Sequence, residues 1–130
     1  MTEKRCITVA GAPPAIGPYS HAVAVGELVF FSGQIPLNPD GSGLIKGNFE
    51  DQARQALTNL KTVLEGAGSS IDLVVKAMIF LTDLDNFAVF NAIYEEYFGD
   101  SKPARSCIEV ARLPAGAEVE VEVIALLKAN

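Results

Sequence analysis

The segment Asp72–Leu81 constrains the fold of this chain more than any other. From Val74 onward it is an almost continuous apolar run, interrupted by Lys76. A run of this length and composition predicts a β-strand, and apolar side chains on both sides of it require that both faces be covered. The chain itself, or other copies of it, must therefore provide a covering layer on each face of the sheet.

The other predicted strands are short and are separated by turn residues. His21–Val25 and Leu28–Phe31 flank Gly26–Glu27, a pattern that predicts a β-hairpin. Ile7–Ala10 is predicted to be the first strand and precedes a loop rich in proline and glycine. The last strand, Glu118–Leu127, alternates valines with glutamates, so its two faces differ in polarity.

Two segments carry apolar residues at the spacing of an amphipathic helix. The first follows Asn48, a residue type that caps helix N-termini, and is predicted to stop at Gly66–Gly68. The second is predicted to be capped by Asp83 or Asp85 and to end at Gly99. With the strands, these helices give the order β-β-β-α-β-α-β-β, which is an α+β pattern.

A count of the layers predicts that the chain associates with copies of itself. Two helices cover one face of a five- or six-stranded sheet, and no further predicted element covers the other. The last strand also becomes apolar on its charged face, at Ile124 and Leu126. Because monomers rarely expose so large an apolar patch, we expect other copies to bury it, on the order of 1,000 Å² or more in total.

The stretch Lys102–Pro114 carries the candidate chemistry, because alternation places a guanidinium and a thiol on the same side of a strand. The predicted core side holds Ser106, Ile108 and Val110, and the opposite side holds Arg105, Cys107, Glu109 and Ala111. A covered Arg105 needs an anion, and a carboxylate fits its planar fork best. We expect Arg105, Cys107 and the even-numbered glutamates of the last strand to share the covered side near a subunit seam. That anion is either a glutamate of the protein or a ligand.

Composition and charge limit the functional classes. The 130 residues predict one domain, 1–130, whose 49% hydrophobic content is that of a globular protein. The net charge of -6 argues against nucleic acid as a partner. Cys6 and Cys107 form no disulfide framework. The lone His21 lacks partners for a metal site. No apolar run suits a signal peptide or a membrane span. These features predict a cytoplasmic protein without a metal.

Several segments of the chain match one known family in their order and spacing. They are Ala15–Ser20, Phe31–Pro36, Phe87–Tyr94, Pro103–Pro114 and Val119–Ala125. Together they resemble the RidA (YjgF-type) family of reactive enamine/imine deaminases. The resemblance implies a chorismate-mutase-like α+β fold with two helices on one face of a mixed sheet, and a homotrimer with clefts between its subunits. It also implies hydrolysis of 2-imino acids such as 2-iminobutanoate and 2-iminopropanoate to 2-keto acids and ammonia, without a cofactor.

The resemblance further implies roles for individual residues. Arg105 would bind the substrate carboxylate, and Glu120 and Cys107 would line the cleft. The functional interpretation of these two residues is that Glu120 positions water and that Cys107 contacts the water or the substrate, with a pKa that a nearby Arg105 lowers. The other predicted substrate-binding residues are Tyr19, Ser32, Gly33 and Asn91. The residues alone leave alternatives open: Arg105 in an interfacial salt bridge, Glu120 on a solvated strand face, Cys107 as an apolar filler. Glu122 lies on the same strand face as Glu120, so alternation does not decide which of them handles water.

Two other functions remain open on the same fold. One is a non-catalytic, regulatory module that binds small carboxylates. The other is a translation-inhibiting endoribonuclease, against which the acidic charge argues. The function that the residues and the resemblance together favour is a deaminase that removes reactive 2-imino acids before they damage other molecules.

Overall fold

The computed structural model describes residues 3–129, and within them the chain forms a six-stranded mixed sheet with two α-helices packed on one face. The strands are β1 (Lys4–Ile7), β2 (Ala22–Val25), β3 (Leu28–Phe31), β4 (Val74–Leu81), β5 (Ala104–Glu109) and β6 (Val119–Leu126). The helices are α1 (Phe49–Gly66) and α2 (Phe87–Phe98). The predicted α+β class is confirmed. Neither helix of the described segment has the length and apolar content that crossing a bilayer requires.

The strand order places the last strand in the middle of the sheet. From edge to edge the order is β1-β2-β3-β6-β4-β5, in which β4 and β5 are parallel and all other neighbours are antiparallel. β6 is thus paired on both sides, by β3 and β4, whereas β5 forms an edge. Residues of β6 are therefore held rigidly, and residues of β5 lie at the border of the protomer.

Helix α1 begins and packs as its sequence predicts. The Asn48 side chain accepts the Asp51 N–H at 3.0 Å, while the Asp51 carboxylate accepts the Asn48 N–H at 3.1 Å. This reciprocal capping box satisfies two amides at the helix start. The last helical residue, Gly66, permits close packing, since a Cβ there would collide with the side chain of Val9. The N-terminal segment thereby docks onto the end of α1.

Two predicted boundaries are wrong. The first strand is Lys4–Ile7 rather than Ile7–Ala10, because Val9 leaves the sheet: its N–H donates to His21 Nδ1 at 2.9 Å and its side chain is buried. Neither Asp83 nor Asp85 caps α2. Asp83 accepts the Asp85 N–H at 2.9 Å and so caps a single 3₁₀ turn that contains Asp85, after which α2 begins without a side-chain cap.

The two faces of the sheet differ in what covers them. The odd-numbered residues of β6, and those of β4 from Ala77 onward, are buried against the helices, as Ile79 and Val121 illustrate. We call the opposite side the open face, and its exposed large apolar side chains are Val25, Leu28, Phe30, Ile108 and Leu126. No element of residues 3–129 packs over it, which agrees with the layer count made from the sequence.

The predicted sidedness of β5 is wrong. Parallel pairing sets Arg105 beside Ala77 and Cys107 beside Ile79, both of which face the helices. Ile108 lies beside Phe80 on the open face and is 44% exposed. Alternation identifies the two sets of residues correctly, but apolar side chains occur on both faces of this sheet, so the pattern cannot tell which face meets the helices.

Candidate active site

The predicted site residues fall into two groups that a single protomer does not bring together. Glu120 points to the open face from β6, where it pairs with Phe80, whereas Arg105 points to the helix side from β5, where it pairs with Ala77. Two strand spacings and three residues of rise separate them, about 10 Å in each direction. The prediction that Arg105, Cys107 and the even-numbered glutamates share one covered side is therefore wrong.

The first group, which we call the glutamate cleft, consists of Tyr19, Ser32, Gly33 and Glu120. These residues line a depression of about 560 Å³ between the loop that precedes β2 and the turn that precedes β6. Glu122 also lines it. The third glutamate of the alternating run, Glu118, is separate from the cleft: its carboxylate accepts the Gln52 side-chain N–H at 2.9 Å, on helix α1.

Gly33 and Glu120 are packed directly against each other. A Cβ at Gly33 would stand 2.7 Å from Cδ of Glu120 and 2.8 Å from its Oε2. The flanking amides are anchored, because Ser32 N–H donates to the His21 carbonyl and Gln34 N–H donates to the Val121 carbonyl. The carboxyl group of Glu120 therefore occupies space that is free because residue 33 is a glycine, which distinguishes it from Glu122.

This contact leads to a stability prediction. Gly33→Ala is expected to lower the free energy of unfolding by about 1 kcal/mol, because the added methyl group must displace Glu120. The backbone of Gly33 lies outside the left-handed region, so alanine is not strained there. In a Glu120→Ala background this clash is absent, and the same substitution is expected to stabilise the fold by up to about 1 kcal/mol in thermal denaturation, because alanine restricts the unfolded chain more than glycine does. An equal loss in both backgrounds would contradict the contact.

Hydrogen bonds fix the polar groups around the cleft. Ser32 Oγ donates to the Ser20 carbonyl at 2.6 Å, and Tyr19 Oη accepts the Ile16 N–H at 3.2 Å. Tyr19 is 51% exposed. The buried His21 accepts from Val9 through Nδ1, so its Nε2 carries the proton and donates to the Pro13 carbonyl at 2.9 Å. His21 thus connects the loop that contains Pro13 to the backbone of Val9. In residues 3–129 no cluster of three or more His, Cys, Asp or Glu side chains is arranged to hold a metal ion.

Burial changes the acid–base properties of Glu120. Desolvation raises the pKa of its carboxyl group above the ordinary value, and the nearby Glu122 raises it further. A carboxyl group of raised pKa in a cleft accepts a proton more readily than an ordinary one, which suits it to proton transfer.

The second group, which we call the arginine edge, consists of Arg105, Cys107 and Asn91. The Arg105 guanidinium lies 4.8 Å from the ring centroid of Tyr94 and 5.6 Å from that of Phe87. Asn91 lies between these two aromatic residues along one face of α2. Within the described residues, Arg54 and Glu96 form an ion pair on the helices, and no carboxylate of residues 3–129 lies within 4 Å of Arg105.

The arginine edge differs from its prediction in two respects. Burial raises the pKa of the Cys107 thiol, and the opposing effect of Arg105 does not overcome it, so the expected lowering is wrong. Phe87 and Tyr94 lie next to the three residues of the arginine edge, although the sequence indicated only that they belong to an apolar helix stripe. Their neighbour Asn91 has a buried Oδ1 without a hydrogen-bond partner in residues 3–129. An arginine contact across two elements leaves no local sequence signal that could have revealed it.

Known proteins share both the sequence and the fold. The family model described as Endoribonuclease L-PSP matches residues 9–127. A RutC family protein of Pyrococcus horikoshii is 47% identical over 122 residues, which cover 94% of this chain and 97% of the relative. The 2-iminobutanoate/2-iminopropanoate deaminase of Escherichia coli is 44% identical over 125 residues, covering 94% of this chain and 97% of that protein.

Solved structures agree with this relationship. The yeast protein YEO7 superposes with a TM-score of 0.93 at 47% identity, and the match covers 97% of this chain and 100% of that chain. The Escherichia coli protein TdcF, solved with bound serine, has a TM-score of 0.88 at 42% identity and covers 95% of this chain and 99% of its own. The resemblance to RidA is thus confirmed, and this chain belongs to the L-PSP family, which includes RidA and the RutC family proteins.

Proposed function

We propose that this protein hydrolyses 2-imino acids, together with their enamine tautomers, to 2-keto acids and ammonia. One observation carries the proposal: a protomer presents at one border an arginine that has no acidic partner among residues 3–129, and on the opposite face a carboxyl group of raised pKa. The first can bind a carboxylate and the second can transfer protons, which are the two tasks that imine hydrolysis requires. Relatives named 2-iminobutanoate/2-iminopropanoate deaminase support the substrate class, and TdcF with bound serine supports a small ligand.

The proposed site forms between neighbouring copies of the chain. The arginine edge of one protomer would complete the glutamate cleft of the next, so that each contact joins unlike surfaces. Repeated around an axis, such contacts close into a ring, and a homotrimer is the ring that we propose. The exposed apolar side chains of the open face, such as Phe30 and Ile108, support burial of this face against other copies.

In the proposed mechanism, the Arg105 fork binds both oxygens of the substrate carboxylate. The Gly33 N–H, held between two anchored amides, and the Tyr19 hydroxyl, which keeps its own proton to donate, orient the substrate. Ser32 Oγ donates to Ser20 and retains lone pairs that can accept a proton from the substrate or water. Asn91 offers its unpaired Oδ1 from the neighbouring arginine edge.

Glu120 carries the proton transfers. As a carboxylate it takes a proton from the water that attacks the imine carbon, and it delivers that proton to the nitrogen. Glu120 then takes the hydroxyl proton of the carbinolamine and passes it to the amine nitrogen. The C–N bond breaks as the carbonyl forms and ammonia departs, so one water is consumed for each ammonia released. Cys107 contacts the substrate as a neutral thiol, because burial raises its pKa and leaves little thiolate at neutral pH.

The test generates a 2-imino acid with a pyridoxal-phosphate dehydratase and follows its decay. The wild-type protein is expected to accelerate decay, and Glu120→Gln is expected to lower the rate by about 10²- to 10⁴-fold. Binding of the keto acid without acceleration would instead indicate a carboxylate-binding module. Cleavage of RNA that falls with added salt would indicate the endoribonuclease, which the net charge of -6 disfavours.

The same variant leads to a prediction on pH and stability. A carboxyl group whose pKa is higher in the folded than in the unfolded state destabilises the fold as pH rises through that interval. Glu120→Gln is therefore expected to raise the melting temperature at pH 7, and this gain is expected to vanish below the ordinary carboxyl pKa of 4.5. Thermal denaturation between pH 3 and pH 8 measures both outcomes. A variant less stable than wild type at pH 7 would contradict the prediction.

We infer a cytoplasmic location for the reaction, because a reducing compartment keeps free cysteines such as Cys6 and Cys107 in the thiol form.

A further inference from the structure

We propose that Phe87 and Tyr94 are positioning residues that hold the Arg105 guanidinium by its flat faces and leave its N–H edges free for a ligand carboxylate. This inference rests on the proposed function, since it concerns how the same site binds its substrate. It assigns a role to two aromatic residues of α2 whose helical spacing alone suggests only core packing.

The geometry of the three side chains carries the first step. The guanidinium carbon lies 4.8 Å from the Tyr94 ring centroid and 5.6 Å from the Phe87 centroid, both within the range of cation–π attraction. Phe87 and Tyr94 are seven residues apart on one helix, so both rings project from the same side of α2 toward β5. The guanidinium group of Arg105 therefore lies over two aromatic rings that belong to the same helix.

The chemistry of guanidinium supplies the second step. All five of its N–H donors lie in the plane of the group, so contact with an aromatic ring through the flat face uses none of them. A carboxylate partner would instead occupy those donors and neutralise the charge. No acidic side chain of residues 3–129 lies within 4 Å of Arg105. The rings therefore orient the cation while keeping its charge and its fork available.

Tyr94 is rigid enough to serve as such a support. Its ring is stacked on that of Phe98, with centroids 4.2 Å apart and planes at 12°, and it contacts Phe90 at 5.8 Å. Burial raises the pKa of Tyr94 to about 12, so the ring stays neutral at physiological pH. Phe87 is 39% exposed and completes the support from the outer side, next to Asn91.

The experiment compares leucine with conservative variants at both positions. Phe87→Leu and Tyr94→Leu remove the aromatic face, and we expect each to raise KM for the imine, and Kd for 2-oxobutanoate, by ~5- to 30-fold. kcat is expected to stay within about threefold of wild type, because the binding lost through Arg105 is lost equally in the ground state and in the transition state. Phe87→Tyr and Tyr94→Phe keep an aromatic ring and are expected to restore near-normal values.

A second background separates positioning from a general structural effect. In Arg105→Ala, we expect Phe87→Leu to change Kd for 2-oxobutanoate no further, since the ring acts through Arg105 alone. Equal loss in both backgrounds, or unchanged KM and Kd in Phe87→Leu, would overturn the inference. Because Phe87 is partly exposed, this variant remains informative even if Tyr94→Leu fails to fold. If Arg105→Ala itself leaves binding and hydrolysis unchanged, the proposed function fails instead.

Discussion

Arg105→Ala is expected to lower kcat/KM for imine hydrolysis by ~30- to 5,000-fold, the range seen when one partner of a buried, hydrogen-bonded charge pair is removed. In this variant the substrate carboxylate would be buried in the seam without the bidentate partner that the Arg105 guanidinium provides. Arg105→Lys keeps the charge but loses the planar fork, so we expect it to recover only part of the rate. The measurement is decay of a 2-imino acid formed by a dehydratase.

A matched control is available in the same chain. Arg54 forms its ion pair with Glu96 on exposed parts of the two helices, at 2.8 Å. Arg54→Ala removes the same kind of side chain outside both the glutamate cleft and the arginine edge, and we expect its turnover to equal that of the wild type, since exposed ion pairs contribute little. Undiminished turnover in Arg105→Ala would remove the basis of the proposed carboxylate binding.

Mixing two inactive variants is expected to restore activity. In the proposed ring, a seam is intact when the arginine edge comes from a Glu120→Gln chain and the glutamate cleft comes from an Arg105→Ala chain. If the two chains are unfolded together and refolded in equal amounts, chance places such a pair at about a quarter of the seams. We therefore expect about a quarter of the wild-type rate from two preparations that are each nearly inactive.

The control for this experiment uses a partner that cannot complement. Arg105→Ala refolded with the double variant Arg105→Ala/Glu120→Gln supplies no arginine to any seam, so its rate is expected to stay at background. Background activity in the complementing mixture, with mixed oligomers confirmed by mass, would show that the two groups do not act across a seam. Recovery would establish the composite site without any ligand-bound structure.

Local signals predicted much of the fold correctly. The cap at Asn48 and the spacing after it gave α1, and the turn at Gly26–Glu27 gave the β2–β3 hairpin. The errors occur where a tertiary contact overrides a local pattern. Val9 belongs to an apolar run typical of a strand, yet it leaves the sheet because His21 accepts its N–H and Gly66 leaves room for its side chain.

The candidate site was predictable as a set of residues but not as an arrangement. The resemblance named Arg105 and Glu120, and alternation correctly placed Arg105 and Cys107 on one side of β5. Alternation shows which residues of one strand share a face, however. It does not show which of the two faces meets the helices, and this must be determined for each strand separately. Only the register between β5, β4 and β6 shows that Arg105 and Glu120 point in opposite directions.

The central strand β6 has a consequence for how this protein can change over evolutionary time. Val119, Val121 and Val123 build the interior, while Glu120 and Glu122 between them face the cleft. Deleting one residue within this strand would turn the carboxylates on one side of the deletion inward and the valines outward, so that part of the hydrophobic interior is lost together with the reacting group. Insertions and deletions are therefore expected in the loops that flank β6 and not within it.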